Sequence, residues 1–153
     1  MERRWVVLLA ALAAALLVAL PATAAKKKAT PEYDLLAALT GEQEAPTDGD
    51  PDGFGAADFR IKGNKVCFRI IASDIAPTTA AHIHKGGPEV AGPIEVDLFT
   101  FRGKSQTLPP RITGCAKTTT TIAKAIAKKP GDYYVNVHNG DFPNGALRGQ
   151  LTK

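Results

Sequence analysis

Apolar and polar residues alternate along much of this chain in short blocks, the period of strands with one face in a core and the other in water. Ala57, Phe59 and Ile61 alternate with Asp58, Arg60 and Lys62, and after Gly63-Asn64 the residues Val66, Phe68 and Ile70 resume the same pattern. A two-residue connection containing glycine between two such runs predicts a tight hairpin. A first strand is predicted over 33–39, and further strands over 80–84, 93–99, 133–138 and 146–151; in the second of these Ile94, Val96 and Leu98 alternate with Glu95 and Asp97. Helical spacing is confined to 119–129, where Ile122 and Ile126 lie four apart, lysines come late and Pro130-Gly131 ends the run. The threonines in that stretch are poor helix formers. About seven short strands and one short helix predict an all-β fold, two packed antiparallel sheets in a Greek-key β-sandwich or flattened barrel. No internal repeat is present.

The N-terminus breaks the pattern. Residues 5–20 form an unbroken apolar run behind Arg3 and Arg4, ending at Pro21 and the small residues Ala22-Thr23-Ala24. The run is short for a bilayer span, which needs about 20 residues. A basic start, an apolar middle and an A-x-A site predict a secretory signal peptide cut after Ala24, with a retained membrane anchor as the alternative. The expected organisation is therefore a signal peptide at 1–24, a polar leader at 25–32 and one domain at 33–152. No cysteine follows the cleavage site, which speaks against a lipid anchor. The rest of a twin-arginine signal is missing.

Charge narrows the partners. The whole chain carries 19 Lys+Arg against 15 Asp+Glu. Once the signal is removed, the excess cation is Lys26-Lys27-Lys28, a solvated leader, and the remainder is balanced. A nucleic-acid-binding domain concentrates basic residues on one face, so nucleic acid is not an expected partner. No stable membrane span is expected after cleavage. A secreted or periplasmic location also changes how Cys67 and Cys115 are read. Both lie outside C-x-x-C or zinc-type spacing, so in an oxidising compartment they are expected to pair, with two separate buried thiols as the alternative.

Candidate chemistry is sparse. Asp48-Gly49-Asp50-Pro51-Asp52-Gly53 matches the first half of an EF-hand loop, but position twelve is Phe59 instead of a bidentate Glu, and an acidic turn explains it better. No G-x-S-x-G is present. Glu42, Glu44, Glu89 and Glu95 could supply paired carboxylates, but no aromatic-rich stretch exists to stack a sugar. The histidines say more. His82 and His84 lie two apart on a predicted strand, so both project from one face about 6.5 Å apart along the chain. His138, on another predicted strand, could complete a nitrogen triad suited to copper or zinc. Two exposed strand histidines bonded to nearby loops are the plainer alternative.

A family pattern emerges from 39–46 (LTGEQEAP), 80–86 (AAHIHKG), 92–94 (GPI), 133–138 (YYVNVH) and 142–151 (FPNGALRGQL). Together these motifs resemble the CHRD domain, the module named from chordin, over about 33–151. The resemblance implies a secreted domain, and bacterial members often carry a cysteine pair at the places of Cys67 and Cys115. Chordin antagonises bone morphogenetic proteins, which makes extracellular protein binding the role implied for the module, although that particular partner is not carried over. More distantly, Ala81-His82-Ile83-His84 is similar to the copper-ligand strand of the Cu/Zn superoxide dismutases. The segment 144–149 is similar to the one bearing their active-site arginine, here Arg148. The fold implied is a superoxide-dismutase-like or immunoglobulin-like sandwich. Three histidines cannot supply both metals of a dinuclear dismutase.

The expectation from sequence is thus a secreted, non-enzymatic CHRD module that binds an extracellular protein or surface polymer. Its metal ligands, for copper or zinc, would be His82, His84 and His138, with Arg148 near an open position. The alternative is a mononuclear copper protein with redox activity of the superoxide-dismutase type.

Overall fold

The computed structural model describes residues 29–101 and 111–153. The expected signal peptide and the lysine run lie outside these residues. Eight strands are present among them: β1 (Glu32–Thr40), β2 (Phe54–Lys62), β3 (Lys65–Ser73), β4 (Thr78–Lys85), β5 (Ile94–Thr100), β6 (Arg111–Lys117), β7 (Tyr133–Asn139) and β8 (Leu147–Gln150). A helix, α1 (Thr120–Lys128), and a short 3₁₀ turn, Pro130–Asp132, lead into β7.

The strands form one antiparallel sheet in the order β5-β4-β7-β8-β1-β2-β3-β6. Its two edges, β5 and β6, come into contact, so the sheet curls nearly shut. The β3-to-β4 and β6-to-β7 connections each pass over the strands between them, which are the Greek-key crossovers of the expected all-β fold.

Local chemistry accounts for these elements. The β2–β3 hairpin turns on Gly63-Asn64, with Gly63 at φ +64, the positive value a two-residue hairpin turn requires. In α1, Thr119 caps the N-terminus by accepting from the Ile122 amide at 3.1 Å, and Ala123 and Ile126 are fully buried. The inward residues of the strands, including Leu35, Phe59, Val66, Ile83, Val96, Val135 and Leu147, make one continuous core. Burying each such side chain is worth about 1.5–3 kcal/mol. No helix among the described residues is long and apolar enough to cross a membrane.

One strand lies outside the seven expected from sequence. In β6 the inward positions are Ile112, Gly114 and Ala116, so the apolar signal of alternation is nearly absent. Gly114 is small because the Phe68 ring occupies the space of a side chain there; a Cβ would lie 2.7 Å from that ring.

The outer face of the β3–β6 pair carries the disulfide. Cys67 and Cys115 are direct partners in the register and are bonded, closing a sequence separation of 48. Such a loop is worth about 4 kcal/mol on the chain-entropy estimate. The Cys67→Ser/Cys115→Ser variant should therefore lose up to that much stability in chemical denaturation. An unchanged denaturation midpoint would show that β6 docks equally well without the bond.

Candidate functional site

Alternation that buries Ile83, Val135 and Val137 necessarily sends their neighbours to the opposite face. Pairing of β4 with β7 sets His82 opposite Asn136, His84 opposite Tyr134 and Ala80 opposite His138. On the far side of β7, Arg148 pairs with Asn136 and Gln150 with Tyr134. These polar side chains are only partly open to water, with Asn136, Tyr134 and Arg148 buried and the histidines and Gln150 half-buried. Loops before β2, between β4 and β5 and between β7 and β8 fold over them.

The structure brings His82, His84 and His138 together: one ring nitrogen of each lies within 4.8 Å of those of the other two. Their hydrogen bonds determine which nitrogens carry protons. A carbonyl oxygen only accepts, so His84 Nδ1 donates to the Gly92 carbonyl at 2.9 Å and His138 Nδ1 to the Pro143 carbonyl at 3.0 Å. Both neutral rings therefore keep their lone pair on Nε2. The single hydroxyl proton of Thr100 goes to Asp97 Oδ1 at 3.1 Å, so Thr100 Oγ1 accepts from His82 Nε2 at 3.4 Å. That leaves the lone pair of neutral His82 on Nδ1, facing His138 Nε2 at 3.1 Å. Two lone pairs then oppose each other at hydrogen-bond distance, and His84 Nε2 is buried with no partner at all.

Protonation does not readily relieve this. Burial, together with the neighbouring His82, pushes His138 down to about 4. Burial also lowers His82, against the pull of Asp97, and lowers His84, against its bond to Gly92. Near neutral pH the three rings are neutral.

The surrounding contacts fix the loops. Tyr134 stacks on His84, with ring centroids 4.9 Å apart and planes 10° apart, while the Arg148 guanidinium lies 3.4 Å from the Tyr134 ring centre. Because β7 runs between β4 and β8, the tyrosine separates Arg148 from the histidines. Arg148 Nη2 instead donates to the carbonyls of Gly87 at 2.7 Å and Val90 at 3.2 Å, holding the β4–β5 loop. Gly92 is clamped twice: its amide donates to the Tyr134 hydroxyl at 3.1 Å and its carbonyl takes the His84 proton. The turn there requires glycine, since a Cβ would fall 1.6 Å from the Lys85 oxygen.

Beside the triad sits a buried carboxylate. Asn136 Nδ2 donates to Glu44 Oε2 at 2.9 Å. Burial pushes Glu44 up from 4.5 to about 7, despite the opposing effects of Arg148 and the Asn136 bond. The carboxyl group fits only because residue 145, at φ +149, is glycine; a Cβ there would be 2.6 Å from it.

The comparisons agree with the motifs. A family model for the CHRD domain matches residues 35–151. The chain belongs to the CHRD-domain family. No curated protein and no solved structure gives a significant match.

Within this CHRD domain the family motifs converge on one face. Those at 39–46, 80–86, 133–138 and 142–151 supply Glu44, the histidines, Tyr134, Asn136, Pro143, Arg148 and Gln150. Glu44 appears in the sequence as one of several possible carboxylates, and its partnership with Asn136 across 92 positions had no local signal. Glu42, Glu44 and Glu89 line one cavity together with Asp48, whereas Glu95 is on β5. The 48–53 loop is a turn whose Gly49 and Asp50 amides donate to the Gly41 and Ala146 carbonyls.

Glu44 makes the stability of the CHRD domain depend on pH. Between about 4.5 and 7 the folded carboxyl holds a proton that the unfolded one has lost, so its contribution to stability falls as pH rises through that window. The three lowered histidines act in the opposite direction, which makes a difference measurement the clean one. Relative to Glu44→Gln, the native domain should lose up to about 3 kcal/mol between pH 4.5 and pH 8. Parallel stability curves for the two proteins would rule out a buried neutral carboxyl.

Proposed function

We propose that this CHRD domain is an exported binding module that holds a single copper or zinc ion at His82 Nδ1, His84 Nε2 and His138 Nε2. The observation that carries the reading is the direction of the lone pairs. Backbone carbonyls on two rings and a Thr100–Asp97 pair on the third take the protons away from the centre, the outer arrangement that orients imidazole ligands toward a metal. A cation between the rings turns an otherwise repulsive contact into coordination.

The donor set suits the proposal. A tetrahedral ion with bonds of about 2.0–2.1 Å spaces its nitrogen ligands about 3.4 Å apart. With His82 Nδ1 and His138 Nε2 3.1 Å apart and a ring nitrogen of each histidine within 4.8 Å of the others, the triad reaches that spacing by opening its short edge slightly and closing the others by about 1.4 Å at most. Neutral imidazoles favour copper and zinc over magnesium or calcium, which prefer oxygen. No carboxylate joins the group among the described residues, leaving a fourth position for an outside ligand. That open position is also what supports the second reading, a mononuclear copper protein with redox activity. Arg148 supports either reading indirectly, by stacking on the tyrosine that stacks on His84.

The module would work in the cell envelope or outside the cell, where an extracellular protein or surface polymer is the partner. The signal peptide at 1–24 and the disulfide fit that setting. Mass spectrometry of the exported protein should find an N-terminus at Ala25; Met1 retained in membranes would contradict export by cleavage.

The metal reading is tested on the chain from Ala25 onward. Calorimetry with copper and with zinc should give one ion per chain, and saturating metal should stabilise the fold by about 4 kcal/mol at a thousandfold excess over Kd. Both effects should vanish in His82→Ala/His84→Ala. Superoxide turnover that tracks copper content would favour the redox reading, and equal metal uptake by the double variant would exclude the site.

A further inference from the structure

Glu44 is shared by the walls of two adjoining cavities under the loops. One, of about 280 Å³, is lined by Glu44, Thr47, His84, Tyr134, Asn136 and Asn144 among others. The second, of about 440 Å³, is bordered by Glu42, Asp48, Glu89 and Arg148 as well as Glu44. Four carboxyl groups therefore face these spaces against one guanidinium. That guanidinium holds the Gly87 and Val90 carbonyls through Nη2 and lies on the Tyr134 ring, while its Nη1 is buried without a partner.

The inner wall is built for a donor. Glu44 and Asn136 are 9% and 4% exposed, so both are more than nine-tenths buried. Asn136 turns its Nδ2 toward Glu44 Oε2, which leaves its Oδ1 as the free end of the amide. That oxygen and Glu44 Oε1 have no hydrogen-bond partner. With Glu44 ionised these are two unpaired acceptors on the wall of one cavity, each forfeiting about 1–3 kcal/mol, and Arg148 Nη1, itself buried and unpaired, does not bond to them. The ligand that relieves this cost brings N–H or O–H groups and, in an acidic setting, positive charge.

The occupant is not a second metal ion. Among the described residues only the histidine triad gathers three ligand atoms within metal-binding distance, and the carboxyl groups around Glu44 do not converge in that way. A larger cation, reaching separate acceptors with separate N–H groups, fits the spacing. The smaller cavity, at the lower end of the sizes that hold small molecules, admits an amine or the end of one side chain.

We propose that the cavity beside Glu44 and Asn136 is a subsite for an organic cation with N–H donors, an alkylammonium or guanidinium group. The group is presented either by a free amine or by a Lys or Arg side chain of a protein partner. Glu44 Oε1 and Asn136 Oδ1 accept from it, and Glu42, Asp48 and Glu89 attract it to the loops. The assignment goes beyond the metal site and does not depend on it, since none of these contacts uses a coordinated ion.

The test uses the chain from Ala25 onward in excess chelator, so the outcome is separate from that of the metal titration. The probes are n-butylammonium, n-butylguanidinium, a blocked Ala-Lys-Ala peptide, its Arg counterpart, and tetramethylammonium, which has the charge but no N–H group. Saturable binding of the N–H probes is expected, weaker by about tenfold or more for tetramethylammonium and for Glu44→Gln. In the unsubstituted protein the Asn136 side-chain amide signals should move on titration while those of β6 do not, a readout that survives if the variant misfolds. Binding by peptides and not by free amines assigns the subsite to a protein partner, and the reverse assigns it to a small amine. No saturable binding by any probe, equal binding of tetramethylammonium, or shifts that bypass Asn136 would overturn the proposal.

Discussion

The register between β4 and β7 is the constraint on which the rest of this molecule depends. A slip of β4 by one residue would turn His82 and His84 into the core and expose Ile83 to the loops, and a slip of β7 would do the same with Asn136 and His138 against Val135 and Val137. Burial of those apolar side chains forbids the slip, at several kcal/mol for the set. The same force that holds the sheet together therefore places three imidazoles, an amide and a tyrosine on one outer face. No separate energy is needed to assemble the face.

That face is unusual because it is covered. Polar groups on a strand ordinarily turn to water, whereas here loops from both sides lie over them and must supply their hydrogen bonds. The loops do so largely with backbone carbonyls: Gly92 and Pro143 for histidines, Gly87 and Val90 for Arg148, Gly86 and Gly131 for Gln150. Every one of these acceptors takes a proton outward from the sheet's side chains. Wherever the loops supply only acceptors, ring nitrogens facing inward are left with lone pairs. The orientation of the triad follows from how the loops are tied down.

Much of this was legible in the chain, and the illegible parts have physical causes. The β2–β3 hairpin follows from alternation and a Gly-Asn turn, and α1 from the spacing of Ile122 and Ile126 and the Pro130-Gly131 stop, all local signals. The threonine that caps α1 reads in the sequence only as a poor helix former. Strand β6 escapes because Gly114 and Ala116 stand where large apolar residues would mark the period; the bulk is supplied from across the pair by Phe68. For the site, the spacing of His82 and His84 sufficed to put them on one face, and His138 joins them through strand pairing. The carboxylate–amide pair was hidden, because Glu44 reaches Asn136 only through a loop that folds over the sheet. One signal did exist. Tyr134, Asn136 and His138 alternate with Val135 and Val137, and a strand whose polar face also contains an aromatic is a candidate for burial on both sides.

The unpaired atoms of this face raise the question of why such an arrangement persists. Glu44 Oε1, His84 Nε2, Asn136 Oδ1 and Arg148 Nη1 are all buried without partners, on neighbouring strands and loops of one layer. Each costs about 1–3 kcal/mol, a substantial part of the 5–15 kcal/mol by which domains are stable. Among the described residues one further such atom, Asn139 Nδ2 at the end of β7, lies outside this set; the core is continuous and apolar, and outer charges such as Asp58 and Arg69 are paired. A disulfide across β3 and β6, far from the layer in the sheet order, compensates part of the deficit without touching it. Stability held in one half of the barrel thus allows polar atoms in the other half to remain unsatisfied, and unsatisfied atoms are the ones free to engage a ligand.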